Sequence, residues 1–325
     1  IADQLLDQIV VQRSRSMCEE IEKNLGKEPD FQFRRPRGAA SKITYSASSL
    51  KYGSILDNML CLFPAEPSAD SVSLRVNTWK SLSYGKDATV TNGLQRTHLL
   101  KRLESSLGSL LISYVRQVNK HLIKLQSLKH NAIIFNYSPH ADELSREIDQ
   151  AFSSLGQDYQ AKVRCLLNHY DKDIELLDPI KFELLWTELK EPILADFRRL
   201  LAKMPILIDN ILGDLDLSVW PKIGEKKTEW PEDPHWGRQI LQDEKVAELF
   251  RFLLNARRKM QKAIVFSEYP DTIEYIQSIL KSVTLFSPAD WDKLLADPSM
   301  NQYSRDEILE LIATTKDVTG NTPKQ

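Results

Sequence analysis

Between Arg96 and Lys129 the sequence holds seven Lys or Arg against a single acid, Glu104. Cations repeated along a helix can neutralise successive phosphates, so Lys101, Arg102, Arg116, Lys120 and Lys124 are candidates for contact with a nucleic-acid backbone. The same run has a plainer reading, a solvated helix face, and composition leaves both open. Ser267 is a further candidate. It opens the polar turn Ser267–Tyr269 after the apolar run Ala263–Phe266, and ligands of open α/β sheets gather beyond the carboxyl ends of strands. ATP hydrolysis needs a different set, backbone amides and a lysine in a GxxxxGK[ST] loop. Gly85–Lys86 has Lys80 where the first glycine belongs and Asp87 where Ser or Thr belongs, and Gly26–Lys27 fails the same test. No DExH-type pair follows a buried strand; Asp243 and Glu244 instead open a helix, where negative charge is favourable. The six histidines show no HxxxH or HxE spacing, so no metal site is expected. No GxSxG elbow occurs, and Cys18, Cys61 and Cys165 lack a nucleophile's context.

These residues must be carried by regular elements, and the apolar periodicity says which. Leu100, Leu103, Leu107, Leu110, Tyr114, Val118, Leu122 and Leu125 step by three or four, which predicts one long helix from Leu94 to about Lys129. Its basic residues then project from roughly the opposite face. Val246, Leu249, Phe250, Leu253 and Leu254 predict a helix over 243–259. The short run Ala263–Phe266 predicts a buried strand, and Asp271 with Glu274 a weak capping box for a helix to Leu280. The unit reads as helix, strand, helix.

Elsewhere the pattern predicts a helix over Ser48–Phe63, a long connection over Pro64–Gly93, and a short strand at Asn131–Phe135. Amphipathic helices follow over Ala141–Leu155, Gln160–Tyr170, Pro179–Leu189 and Ile193–Leu201, separated by Gly or Pro. Phe182, Trp186 and Phe197 are expected in their core. Gly213–Trp236 reads as a second connection pinned by Trp220, Trp230 and Trp236. Val283–Phe286 is a candidate strand, Pro288–Leu295 and Arg305–Ile312 are short helices, and Asp317–Gln325 is a loose tail. The domain plan is thus 1–63, a linker 64–93, a basic helix 94–130, a helical insertion 131–212, a Trp/Pro-rich connection 213–238, an α/β part 239–296 and a final helix and tail 297–325. The expected fold class is predominantly α with a small α/β part.

Composition sets outer limits. At 325 residues, 42% hydrophobic and 27% charged, the chain can bury a sizeable core, and its net charge of −2 gives no global nucleic-acid signal. Three scattered cysteines argue against a disulfide framework and for a reducing, cytoplasmic setting. No run of 18 apolar residues exists, so no membrane partner is expected. The chain starts without Met inside a helical pattern, which suggests a piece of something larger.

Three blocks, in order, carry a family resemblance. They are Gln8–Ser16 with Arg34–Ser46, holding QRSRS and RRP, Leu94–Ser106, holding LLKRLESS, and Asp243–Leu280, holding EKVAELFRFLLNARRKMQKAIVFSEYPDTIEYI. Together they resemble the Swi/Snf-type branch of superfamily-two helicases and DNA translocases, from the exit of the first RecA-like lobe, across the inter-lobe crossing, to motif IV of the second. The resemblance implies a partial RecA-like lobe from about residue 239. It implies that Arg13, Arg15, Arg34 and Arg35 face the cleft between lobes, and that Lys101–Lys124 and Ser267 contact phosphates of duplex DNA. By the same resemblance the whole protein would use ATP and Mg²⁺ on a first motor lobe of the same polypeptide, and this segment would bind neither tightly. LIATTKDVTG at Leu311–Gly320 only faintly echoes motif V, and motif VI has no counterpart. A different reading also stands, a helical interaction module that binds a protein through the acidic insertion and the Trp/Pro-rich loops and catalyses nothing.

Overall fold

The computed structural model describes residues 50–63, 71–80, 89–168, 174–213, 215–261, 263, 265, 267 and 269–315. The chain divides into two units, Ile1–Ile43 and Thr44–Gln325, and every described residue belongs to the second. Arg13, Arg15, Arg34 and Arg35, the Gly26 and Gly85 loops and the tail from Asp317 lie outside the described residues.

The described part is predominantly helical. Its helices are α1 (Leu50–Leu62), α2 (Thr89–Ser105), α3 (Leu107–Ile134), α4 (Ser138–Ser153), α5 (Gln157–Leu167), α6 (Pro179–Leu207), α7 (Pro234–Gly237), α8 (Gln239–Gln242), α9 (Glu244–Arg258), α10 (Pro270–Val283), α11 (Pro288–Ala296) and α12 (Arg305–Thr314). The sole ladder among the described residues is a two-residue antiparallel hairpin, β1 (Lys222–Ile223) with β2 (Thr228–Glu229). Everything is organised on α3, whose Leu110, Leu111, Ile112, Tyr114, Val115 and Val118 are fully buried. A helix apolar on all sides has to be enclosed. Here α2, α4, α6 and α10 pack around it.

Several sequence expectations are corrected. The helix expected from Leu94 begins at Thr89 and is two helices, broken at Ser106. Ser106 is extended, and its hydroxyl accepts from the Ser109 N–H at 3.0 Å, so it caps α3 while its own N–H closes α2 on Arg102. The apolar spacing runs through the break without a gap, which hides it. Asn131–Phe135 is the last turn of α3, not a strand. Pro192, read as a separator, sits inside the continuous α6. Phe182, Leu185, Leu189, Ile193, Leu194 and Phe197 are buried on both sides of it, and that packing outweighs the roughly 3 kcal/mol a helical proline costs. Val283–Phe286 is the end of α10 and a turn.

Ala263 and Val265, expected in a buried strand, are exposed and belong to no ladder. No described strand lies beside them to cover them. Asp271 does not cap α10 either: the N-cap is Tyr269, which makes no side-chain capping bond. The linker expectation over 64–93 also changes in part. Ser71–Lys80 forms a strap sunk into the core, with Val72, Leu74, Val76 and Trp79 buried and Leu74 at φ 54 turning the chain. As expected, Phe182 and Phe197 are core residues, with Trp186 packed against them, and Trp220 and Trp236 are buried with Trp230 beside Trp236. The two α11 and α12 starts carry reciprocal capping boxes, Ser287/Asp290 and Ser304/Glu307.

Candidate nucleic-acid interface

Two segments far apart in sequence meet at the break between α2 and α3. From one side come Arg102 and Ser105 on the last turn of α2, the cap Ser106, and Ser109 and Arg116 on α3. From the other come Ser267, Tyr269, Asp271 and Thr272 at the start of α10, and Lys245 at the start of α9. Arg102 Nη1 reaches Asp271 Oδ2 at 2.5 Å and Ser109 Oγ at 3.1 Å, while its Nε donates to His98 Nε2 at 3.2 Å. Its guanidinium plane also lies 4.0 Å over the Tyr269 ring, which His98 meets edge-on. The Thr272 hydroxyl joins Ser105 Oγ at 2.6 Å and Ser106 Oγ at 3.2 Å. Lys245 Nζ donates to the Ser105 carbonyl at 3.2 Å; burial lowers its pKa, and Asp243 and Glu104 pull the other way. The cluster is thus two arginines and a lysine held against hydroxyls, a backbone carbonyl and one carboxylate.

Close packing explains why these segments register. An added Cβ on Gly108 would stand 2.4 Å from the buried Tyr275 ring, so only glycine lets α3 and α10 approach this far. The Tyr275 hydroxyl then donates to Asp243 Oδ2 at 2.9 Å, and Asp243 Oδ1 accepts from the Lys245 and Val246 N–H groups, capping α9. One buried carboxylate therefore ties α9 to α10.

Of the residues the sequence singled out, the structure brings together Arg102, Arg116 and Ser267. Arg116 Nη1 is 3.7 Å from Asp271 Oδ1, and its other nitrogens hold the hairpin through the Gly224 carbonyl (3.0 Å) and Thr228 Oγ1 (3.4 Å). Ser267 Oγ bonds the backbone of Tyr269 and lies 3.4 Å from Ser105 Oγ. Lys120 and Lys124 are elsewhere. Lys120 donates to Asn77 Oδ1 on the strap, and burial first, then Lys124 and Lys80, lowers its pKa. Lys124 pairs with Glu175 at 2.6 Å and sits over the Trp79 ring, whose Nε1 also donates to Glu175. Burial pushes Glu175 up, but the bonds from Lys124 and Trp79 outweigh it and leave the carboxyl below its usual value. The expectation that these side chains project into open solvent is therefore corrected for Arg116, Lys120 and Lys124. On an enclosed helix a charge needs a partner, and each has one. Lys101 is exposed and makes no ion pair among the described residues.

Sequence reading missed Asp271, Ser105, Thr272 and Glu175 as the partners of these cations. It missed Asp196 too, a buried carboxylate that accepts from Ser73 N and Oγ, both at 2.8 Å, and from Arg75 N at 3.3 Å to hold the strap on α6. The available signal was a lone acid, Asp196, between Leu194 and Phe197 on an otherwise apolar face. No group of three His, Cys, Asp or Glu side chains able to hold a metal occurs among the described residues. No described helix is long and apolar enough to cross a membrane. No family model, curated protein or solved structure matches the chain.

Proposed function

We propose that the chain is a segment of a Swi/Snf-type ATP-dependent DNA translocase or helicase, joining the exit of one RecA-like lobe to the start of a second. The observation that supports this reading is the docking just described. Leu94–Ser106 and Asp243–Leu280, two of the three blocks that carry the resemblance, are separated by more than a hundred residues yet share a cluster of cations and hydroxyls. In this reading the exposed Ala263 and Val265 are positions that the rest of the second lobe would cover. Lys101, Arg102 and Ser267 then follow phosphates of duplex DNA, while ATP and Mg²⁺ act on the first lobe. ATP turnover by the pure chain would sink the assignment.

The test is fluorescence anisotropy of a labelled DNA duplex across a salt series. Binding should weaken steeply as salt rises, and Lys101→Glu should reduce the slope by roughly one phosphate's worth, about 0.9 in log–log units. Lys101 is the right position because its reversal disturbs no internal pair, unlike Lys120 or Lys124. Absence of binding at low salt, or a slope indifferent to Lys101→Glu, rejects the reading. The internal use of Arg116, Lys120 and Lys124 favours the second reading, a helical module that binds a protein without catalysis.

A further inference from the structure

At the far end of α3 from Ser106 the apolar surface is not closed. Ile133, Ile134 and Tyr137 at the end of α3, and Leu176, Ile180 and Leu184 at the start of α6, are all exposed, Leu176 at 71% and Ile180 at 83%. The segments carrying them are one neighbourhood. Asn131 Nδ2 donates to the Glu175 carbonyl at 2.7 Å, and Asn131 Oδ1 accepts from the Leu177 N–H at 2.9 Å. The Tyr137 and Phe135 rings stack on Phe182 with centroids 5.8 and 5.2 Å apart, and Phe182 passes the contact on to Trp186. Isolated exposed leucines need no explanation; six large apolar side chains around one aromatic cluster do.

The exposed charge around this patch leans acidic, although Arg146 on α4 is exposed as well. Asp142, Glu143, Glu183 and Glu188 are exposed on the same stretches of α4 and α6. The three lysines there are half-buried and engaged: Lys129 on Ser145 Oγ at 2.9 Å, Lys181 on Asp178 at 3.5 Å and Lys190 on Glu191 at 2.6 Å. A second copy docked through the same patch would set these acids against themselves, since a two-fold interface pairs a surface with its own image. An anionic lipid surface would meet the same repulsion. From the apolar centre and the acidic rim we infer that this end of the bundle binds a basic amphipathic segment of a protein partner, whose apolar residues cover Leu176, Ile180 and Tyr137 and whose Lys or Arg face Glu183 and Glu188. This inference is independent of the translocase reading.

The probe is a synthetic amphipathic helical peptide of about five turns, leucine on one face and lysine on its flanks, with a glutamate-flanked peptide as control. Titrated into the full chain at moderate salt, the basic peptide should bind and slow amide hydrogen exchange at 131–137 and 174–184. Leu176→Ser with Ile180→Ser should weaken it by roughly tenfold or more, and Glu183→Lys with Glu188→Lys should weaken it further while improving the acidic control. All four positions are solvent-facing, so an unchanged circular dichroism melt verifies that the variants fold. Four outcomes overturn the inference: no binding of the basic peptide, equal binding by the serine variant, equal binding of both peptides, or a dimer in sedimentation that the serine variant abolishes. Cosedimentation with phosphatidylglycerol vesicles that the serine variant abolishes would likewise replace a protein partner with a membrane.

Discussion

Asp271→Ala should lower stability and raise affinity for polyanions at the same time. The carboxylate takes a charge-assisted hydrogen bond from Arg102 at 2.5 Å and lies 3.7 Å from Arg116, with side chains 15%, 15% and 23% exposed respectively for Asp271, Arg102 and Arg116. A hydrogen bond to a charged group contributes about 1.5–3 kcal/mol. The longer Arg116 contact has no hydrogen-bond geometry and adds less than about 1 kcal/mol. Removal also leaves two guanidinium groups facing each other without their shared counter-charge. The expected loss is about 2–3 kcal/mol, or on the order of 1 M in the urea midpoint for an m-value of about 2–3 kcal/mol/M. Arg102→Ala and the double variant complete a cycle whose coupling should exceed about 1 kcal/mol. With Asp271 gone Arg102 keeps Ser109 and His98 and Arg116 keeps Gly224 and Thr228, but both lose their counter-charge, so duplex DNA should bind more tightly in the anisotropy assay. A midpoint unmoved by Asp271→Ala, or a coupling near zero, would refute the claim that this carboxylate holds the two blocks together. A lower midpoint without tighter DNA binding would leave the docking intact and count against phosphate contact there.

Gly237→Ala should destabilise by about 1–3 kcal/mol, because its Cβ would stand 2.6 Å from the Phe286 ring and 2.9 Å from the backbone at Ser282 and Val283; thermal unfolding measures it. Ser106→Ala removes the α3 cap and the contact to Thr272, and should cost about 1 kcal/mol in urea titration. Lys120→Glu should lower the melting temperature by freeing the strap at Asn77, whereas Lys101→Glu should leave it unchanged. At Asp196 burial raises the carboxyl pKa, but the His121 ring 3.8 Å away and the hydrogen bonds from Ser73 outweigh it, and the net shift is downward. A carboxylate depressed in the fold contributes stability above its unfolded value, about 3.9, that is lost as pH falls toward the folded one. Wild type should therefore lose stability more steeply than Asp196→Asn on acidification below about pH 4, as read from urea midpoints.

The helices were legible where an apolar stripe met polar neighbours, as in α4, α9 and α10. The sequence was silent on the turn at Ser106, because the stripe of α2 continues into α3 without a phase change while the break is a matter of one hydroxyl and one N–H. It misled at Pro192, where local propensity opposed a packing environment formed by distant residues. The basic residues were found, but their partners Asp271, Asn77 and Glu175 lie 43–169 positions away, and no local pattern announces such a pairing. Among the described side chains of 96–129, Lys101 retains the exposed charge that composition suggested for the whole run. The apolar patch was illegible for the opposite reason: Ile180 and Leu184 have the spacing of core residues, and only the fold reveals that they are exposed.

The 28 residues of α3 make a rod about 42 Å long, capped at one end by Ser106 and ending at the other in Ile134. Packing along most of its length stiffens such a rod, so a tilt imposed at one end would swing the other through a proportional arc. The two ends are thus separate surfaces. A partner bound at Ile134 and Ile180 would therefore act on Arg102 and Asp271 through the position of this helix and not through contact.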